Sequence, residues 1–432
     1  MAGEIMQNSN DNRADNNNII ENVENGGTIS SITAKDKSNN KKIIFVSIFI
    51  IAIVAFLFFF GNDLKNGVSR IQNSSSETVD LSDYNVLKQG KVKPYKAEPI
   101  KGIFLTANTA GISSSLDALI QLANQTEINA FVIDVKNDFG NVTYNMDIKQ
   151  VDEIGSEYIA IKDINKVMDK LYNNNIYPIA RIVAFKDPYL SSHKTEYAIK
   201  NKDGSLFQYK NVSWVSPYNK DAWKYIVDIA KEAALSGFKE IQFDYIRFEA
   251  TYSLENADFG HEDSYENRME IIVDFIEYAK SELEPYGVVV SADVFGTIIV
   301  SEIDAKMIGQ NYLEMSKSLD VICPMVYPSH YGRGYYGVPA SKSPDLYPYE
   351  IIYGSMMDSN NVINKITSEN ERPVVRPWLQ AFTASYLGGG NYMTYDGKAI
   401  QAQIKAVKDA GLEEWLLWNS GNRYSKDGLS AK

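Results

Sequence analysis

The sequence predicts an α/β chain whose body is a closed (β/α)8 TIM barrel, preceded by a single transmembrane helix and a stalk. Three observations predict it. Eight short apolar runs alternate with amphipathic segments between residues 102 and 419. Several of those runs end on an acid, a base or an amide, where a parallel barrel keeps its chemistry. Upstream of them, one long apolar stretch separates a polar head from the body.

Residues 1–42 are rich in Asn, Ser, Asp and Glu and have no hydrophobic period, as expected of a disordered cytoplasmic tail. Residues 43–60 contain Ser47 as their single polar residue and reach the length of a membrane span. Lys35, Lys37, Lys41 and Lys42 precede the span. The positive-inside bias therefore places the amino terminus in the cytoplasm and the body outside the cell. An uncleaved signal-anchor is expected, because the leading segment is about 40 residues long and no small-x-small site closes the apolar run. Residues 61–99 are polar and form a stalk, 100–424 the barrel, and 425–432 a carboxyl-terminal tail.

Within the body the expected strands are 102–107, 130–136, 177–185, 240–248, 288–294, 321–327, 374–382 and 414–419. They are short and rich in Val and Ile, as strands buried on both faces are. The expected helices, 116–123, 161–172, 222–235, 266–283, 349–366 and 399–410, carry the 3.6-residue period. Gly237 and Gly411 stand at helix ends. Eight strands with interposed helices fit a barrel better than an open sheet. No eighth helix follows the last strand, and the segment before Lys101 is the candidate to cover that gap.

Composition excludes several functions. A net charge of −12 opposes nucleic acid as the main partner. A single cysteine, Cys323, in an apolar run excludes a disulfide framework. The three histidines, His193, His261 and His330, are not at zinc-motif spacing, so no zinc centre and no cofactor is expected. Asp134, Asp138 and Asp244 are the residues a hard cation such as Ca²⁺ would use.

Side chains alternate along a strand, so every second residue faces the barrel interior. That parity groups Asp134 with Lys136, Gln242 with Asp244, and Ser291 with Asp293. It also gathers Arg376, Trp378, Gln380 and Phe382, with Arg181, Tyr327 and Asn419 on the matching faces of their strands. Interior charges are costly unless paired. Two explanations compete: a polar site at the barrel mouth, or an ion-pair network that satisfies itself. A merely stabilising network has no need of the outgoing strand ends, which favours the site.

Glycosidic hydrolysis uses one carboxylic acid as proton donor and one carboxylate as nucleophile or base. Asp244 and Asp293 end neighbouring strands, which run ~4.8 Å apart, so they can form either a retaining or an inverting pair. Asp244 is assigned as nucleophile or base and Asp293 as acid, with Asp134 and Glu249 as substitutes. Arg247 could hold Asp244 ionised, although its parity is opposite unless the strand ends before it. Aromatic residues cluster after the strands: Trp214 after the third, Tyr327, Tyr331, Tyr335 and Tyr336 beside His330 after the sixth, and Trp378 and Trp418 at the last two. Rings with polar tips suit sugars. The expected binding set is Lys136, Arg181, Trp214, Gln242, Arg247, Tyr327, His330, Tyr331, Trp378, Gln380, Trp418 and Asn419. Trp223 and Trp415 are expected in the core.

Several stretches carry a family resemblance. They include Gly102-Ile-Phe-Leu-Thr-Ala-Asn-Thr-Ala-Gly111, Phe131-Val-Ile-Asp-Val-Lys136, Pro324-Met-Val-Tyr-Pro-Ser-His-Tyr331, Arg376-Pro-Trp-Leu-Gln380 and Trp415-Leu-Leu-Trp-Asn419. With these the chain resembles a bacterial family of TIM-barrel glycoside hydrolases first filed as a domain of unknown function. The resemblance implies export and action on a polysaccharide. More distantly, Gly237-Phe-Lys-Glu-Ile-Gln-Phe-Asp244 is similar to the strand-four segment of alpha-amylase-like barrels, which implies Asp244 as nucleophile. Glu249 stands where the family pattern has proline, and the tryptophan that the resemblance implies near Phe207 is a second departure. The expected function is an anchored extracellular glycosidase of envelope or extracellular polysaccharide. The alternative is a catalytically silent glycan-binding or envelope-assembly protein.

Overall fold

Eight parallel strands pair in a ring, in a computed structural model that describes residues 98–260 and 262–432. They are β1 (Lys101–Leu105), β2 (Ala130–Lys136), β3 (Tyr177–Val183), β4 (Glu240–Asp244), β5 (Val289–Phe295), β6 (Val321–Met325), β7 (Val374–Val375 and Trp378–Gln380) and β8 (Trp415–Trp418). Each pairs with the next in sequence, and β8 closes on β1 through Lys101↔Trp415, Gly102↔Leu416 and Ile103↔Leu417. Each gap between consecutive strands holds a main helix, beside shorter ones: α1 (Ser113–Gln125), α2 (Ile164–Asn173), α3 (Lys220–Leu235), α4 (Tyr265–Leu283), α5 (Tyr312–Ser318), α6 (Pro348–Ile363) and α7 (Gly397–Asp409). The expected tail, the anchor at 43–60 and all but the last two residues of the stalk lie outside the described residues. No helix among the described residues is long and apolar enough to cross a membrane.

Local chemistry explains the helix limits. Asn219, Ser264 and Asp396 accept hydrogen bonds from first-turn N–H groups of α3, α4 and α7. Gly237 after α3 has φ of 104° and Gly411 after α7 has φ of 81°, conformations open to glycine at low cost.

The strands depart from expectation at three places. β4 stops at Asp244 instead of running to 248, because Tyr245 turns the chain with φ of 53°. β7 is interrupted at Arg376-Pro377, since proline has no N–H to give a ladder. In β2 the register slips between Asp134 and Lys136, so Asp134 pairs with Arg181 but Lys136 with Ile182. That bulge moves Lys136 off the interior face it was expected to share with Asp134. Between β5 and β6 the chain also forms two seven-residue helices, Glu302–Ile308 and α5, separated by Gly309 with φ of 72°. Neither spans enough turns to display a period in the sequence.

Two apolar layers result. Ile133, Val135, Ile241, Phe243, Val290, Ala292 and Val294 pack outward with the helices. Phe104, Val132, Ile179, Val321, Cys323, Trp378 and Leu416 fill the barrel. Trp223 and Trp415 are core residues, as expected.

Candidate active site

A buried ion network divides the barrel into two ends. At the incoming ends of the strands, Arg376 bonds Glu240 and Glu414 at 2.7 Å each, and Ser291 donates to Glu240 at 2.5 Å. Polar groups at that end of a barrel serve stability. The outgoing end is built differently.

There Arg181, from β3, holds three carboxylates. Its Nε and Nη2 donate to Asp244 Oδ2 at 2.9 and 2.6 Å, and Nη1 donates to Asp134 Oδ1 at 2.6 Å. Nη1 and Nη2 both reach Asp138 Oδ2 at 3.2 Å. The guanidinium thus fills the position that a hard cation would need among Asp134, Asp138 and Asp244. No group of three His, Cys, Asp or Glu residues among the described residues could hold a metal ion. Lys186, just past β3, approaches Asp138 at 3.2 Å and lies 4.4 Å from the Tyr245 ring centroid.

Asp244 also accepts from the N–H of Tyr245 at 2.7 Å, a bond the left-handed turn at Tyr245 makes possible. A non-glycine residue in that region stores strain of about 1–3 kcal/mol, held in place by its surroundings. Asp293 accepts from Trp378 Nε1 at 2.6 Å. The β4–β5 ladder pairs Gln242 with Ser291 and Phe243 with Ala292, which sets Asp244, the last residue of β4, level with Asp293, two residues before the end of β5.

Four carboxylates, Asp134, Asp138, Asp244 and Asp293, here meet two cations, Arg181 and Lys186. Burial raises the Asp293 carboxyl well above the usual range, and the charge of Asp244 adds to the effect against the opposing Trp378 N–H. Burial likewise carries Asp134 to about 7, against the pull of Arg181. Burial opposes ionisation of Asp138 too, but Arg181 and Lys186 outweigh it and hold that carboxyl below its ordinary value.

A cavity of about 110 Å³ opens on this cluster. Of the sequence-derived candidates, Arg181, Asp244, Arg247, Asp293, Tyr327, His330, Tyr331, Trp378 and Trp418 line it. Burial pushes the His330 imidazole down to about 4, so the ring is neutral at physiological pH. Asp134 meets the cluster through Arg181.

The other candidates lie elsewhere. Lys136 is fully buried and pairs with Asp187 at 2.8 Å. Trp214 is fully buried behind Tyr245 and Arg247. Gln242 lies deeper in the barrel, with Nε2 3.2 Å from Cys323 Sγ. Gln380 braces the loops after β6 through Ser329 N–H and Asp345. Asn419 donates to Ala381 O at 2.7 Å and lines a separate cleft with Tyr395 and Tyr424. Tyr335 and Tyr336, expected at the ligand, pack against the core instead. Arg247 does not clamp Asp244; Arg181 does.

Lys186, Tyr245, Phe295 and Thr297 belong to the site and were absent from the candidate set, and Asp138 entered it only as a cation ligand. Asp138, Lys186, Tyr245 and Thr297 lie beyond a strand end, where alternation gives no information, and Phe295 is the last residue of β5, one past the expected strand. The charged stretch Lys186-Asp-Pro after β3 was the available signal for Lys186.

A family model described as "putative glycosyl hydrolase domain" matches residues 102–424. No curated protein matches the chain. Among solved structures, a hypothetical protein from Ruminiclostridium thermocellum is 43% identical over 44% of this chain and 97% of that one, with a TM-score of 0.40. The PgaB (BpsB) glycoside hydrolase domain from Bordetella bronchiseptica is 12% identical, covering 75% of this chain and 94% of that one, with a TM-score of 0.52. The beta-galactosidase of the psychrophilic Marinomonas ef1 is 11% identical over 74% of this chain and 54% of that one, with a TM-score of 0.51. The last two are similar in fold.

Proposed function

The chain belongs to the family described as "putative glycosyl hydrolase domain", and from that premise we propose that it cleaves glycosidic bonds of an envelope or extracellular polysaccharide, with Asp293 as acid and Asp244 as nucleophile or base. One observation carries the assignment. Two carboxyl groups at one level of adjacent strands have opposite environments: Asp244 accepts two charge-assisted bonds from Arg181, while Asp293 is buried and burial raises its carboxyl well above the usual range. Environments that push two acids apart are what separates the roles of donor and attacking group.

Asp293 passes its proton to the glycosidic oxygen as the bond to the anomeric carbon breaks. Asp244 then supplies the electron pair for that carbon, directly or by removing a proton from water. Tyr327, Trp378 and Trp418 line the cavity and bring aromatic edges and polar tips to the sugar. The apolar run 43–60, with lysines before it, supports anchoring in the cell membrane with the barrel outside.

The test is release of new reducing ends from a panel of envelope glycans, by full-length wild type beside Asp244→Asn. The variant should lose at least about 100-fold in turnover while melting as a folded protein. Undiminished turnover in Asp244→Asn sinks the assignment. Binding by both proteins without release marks the silent glycan-binding alternative.

A further inference from the structure

Arg247 lies three residues past β4, is only 6% exposed, and lines the cavity. Three rings flank its guanidinium carbon: Phe295 at 4.5 Å, and Trp214 and Tyr245 at 4.9 Å each. Its Nη1 donates to the backbone oxygen of Phe248 at 2.7 Å, and the nearest carboxylate oxygen, on Glu249, is 3.9 Å away. A guanidinium has five N–H donors in a planar fork. The remaining donors of Arg247 have no partner among the described residues. Arg181, by contrast, commits Nε, Nη1 and Nη2 to carboxylates. In the same cavity wall the hydroxyl of Thr297 is buried without a hydrogen-bond partner.

The ring cage holds this guanidinium at the cavity wall, where among the described residues the protein offers its remaining donors no acceptor. A ligand in the cavity can supply that acceptor. A sugar hydroxyl answers one donor and brings no charge to the guanidinium. A carboxylate answers two parallel donors of the fork and the charge together. We propose that the sugar held in this cavity is a hexuronate and that Arg247 receives its carboxylate.

The inference rests on the reading of the cavity as a glycan site and narrows it to acidic glycans. Glu249, at 3.9 Å, tempers the guanidinium without occupying its fork. The overall charge of −12 repels a polyanion at a distance, but at physiological salt that repulsion is screened beyond about 8 Å. The local fork therefore decides.

The experiment compares polygalacturonate and a glucuronate-containing teichuronic acid, each beside its carboxyl-reduced form, for binding to the full-length protein in detergent micelles. Wild type should bind at least one acidic form at least about tenfold more tightly than its reduced counterpart. Arg247→Gln should bind both forms alike, and Arg247→Lys, which keeps the charge but not the fork, should fall between. Equal or tighter binding of the reduced forms, or binding of neither form, overturns the inference. The wild-type comparison stands even if a variant fails to fold. Acid-selective binding without hydrolysis would leave this inference standing and remove the hydrolase reading. Hydrolysis without acid preference would do the reverse.

Discussion

Arg181 brings one positive charge to three carboxylates, so the protonation of Asp134 is set by competition rather than by simple pairing. In the fold Asp134 keeps its proton up to about 7, whereas an unfolded chain releases it near the usual 3.8. Between those values unfolding releases a proton, so this group withdraws stability as pH rises from about 4 to about 7 and adds no slope above that. The interval corresponds to roughly 4 kcal/mol if Asp134 acted alone. Buried Asp293 and Glu240 are raised as well and add slopes of the same sign. The measurable quantity is therefore a difference between proteins. Urea unfolding at about pH 5 and about pH 8 should show a smaller fall in stability for Asp134→Asn than for wild type. Identical falls would show that Asp134 is ionised throughout. At this scale the sequence was legible wherever alternation held: Asp134, Arg181, Asp244 and Asp293 all lie on the face that parity assigned. It failed one residue past a strand, where Tyr245 turns with φ of 53° and Asp138 and Lys186 come from loops.

Lys136 shows why elements need more than a pattern. Composition makes β2 a strand, but one extra residue in its ladder changes no composition and still reverses the direction of every side chain beyond it. Lys136 consequently leaves the cavity and joins three elements. Its ammonium meets Asp187 at 2.8 Å and Val183 O at 2.7 Å, while Asp187 Oδ1 accepts from Leu190 N–H at 2.7 Å at the start of the helix Pro188–His193. Both ionic side chains are fully buried. Removing one partner of such a pair costs about 3–5 kcal/mol, because the other is left uncompensated. Lys136→Met should destabilise the barrel by that amount in denaturant unfolding, and adding Asp187→Leu should recover part of it. An unchanged midpoint together with weakened glycan binding would return Lys136 to the ligand. The same blindness to short features hid the helices after β5, and the expected strand 374–382 ran through Pro377, the residue that breaks β7.

Across the whole barrel, the seam between β8 and β1 is the one joined by no helix that follows its first strand among the described residues. The chain solves this with its carboxyl-terminal segment. Asn422 accepts from Thr106 N–H at 2.9 Å and donates to Phe104 O at 3.0 Å, and Tyr424 OH donates to Phe104 O at 2.8 Å. Further on, Glu127 N–H donates to Ser430 O and Ser430 N–H to Glu127 Oε1, both at 2.9 Å, and Ala431 bridges Thr126 at the end of α1. Residues 425–432, expected as a tail on composition, thus fasten the last strand to the first helix. Polar residues conceal that role in the sequence, because their bonds are to backbone and leave no hydrophobic pattern. Truncation after Tyr424 removes the outer fastening and keeps the inner one. Losing about three hydrogen bonds of about 1 kcal/mol each should lower the melting temperature by roughly 5 °C in a barrel of this size. Tyr424→Phe removes one bond of the inner fastening instead and should act independently, so the two losses should add within about 0.5 kcal/mol. A melting temperature unmoved by the truncation would mean that β8 and β1 hold the barrel shut through their own ladder.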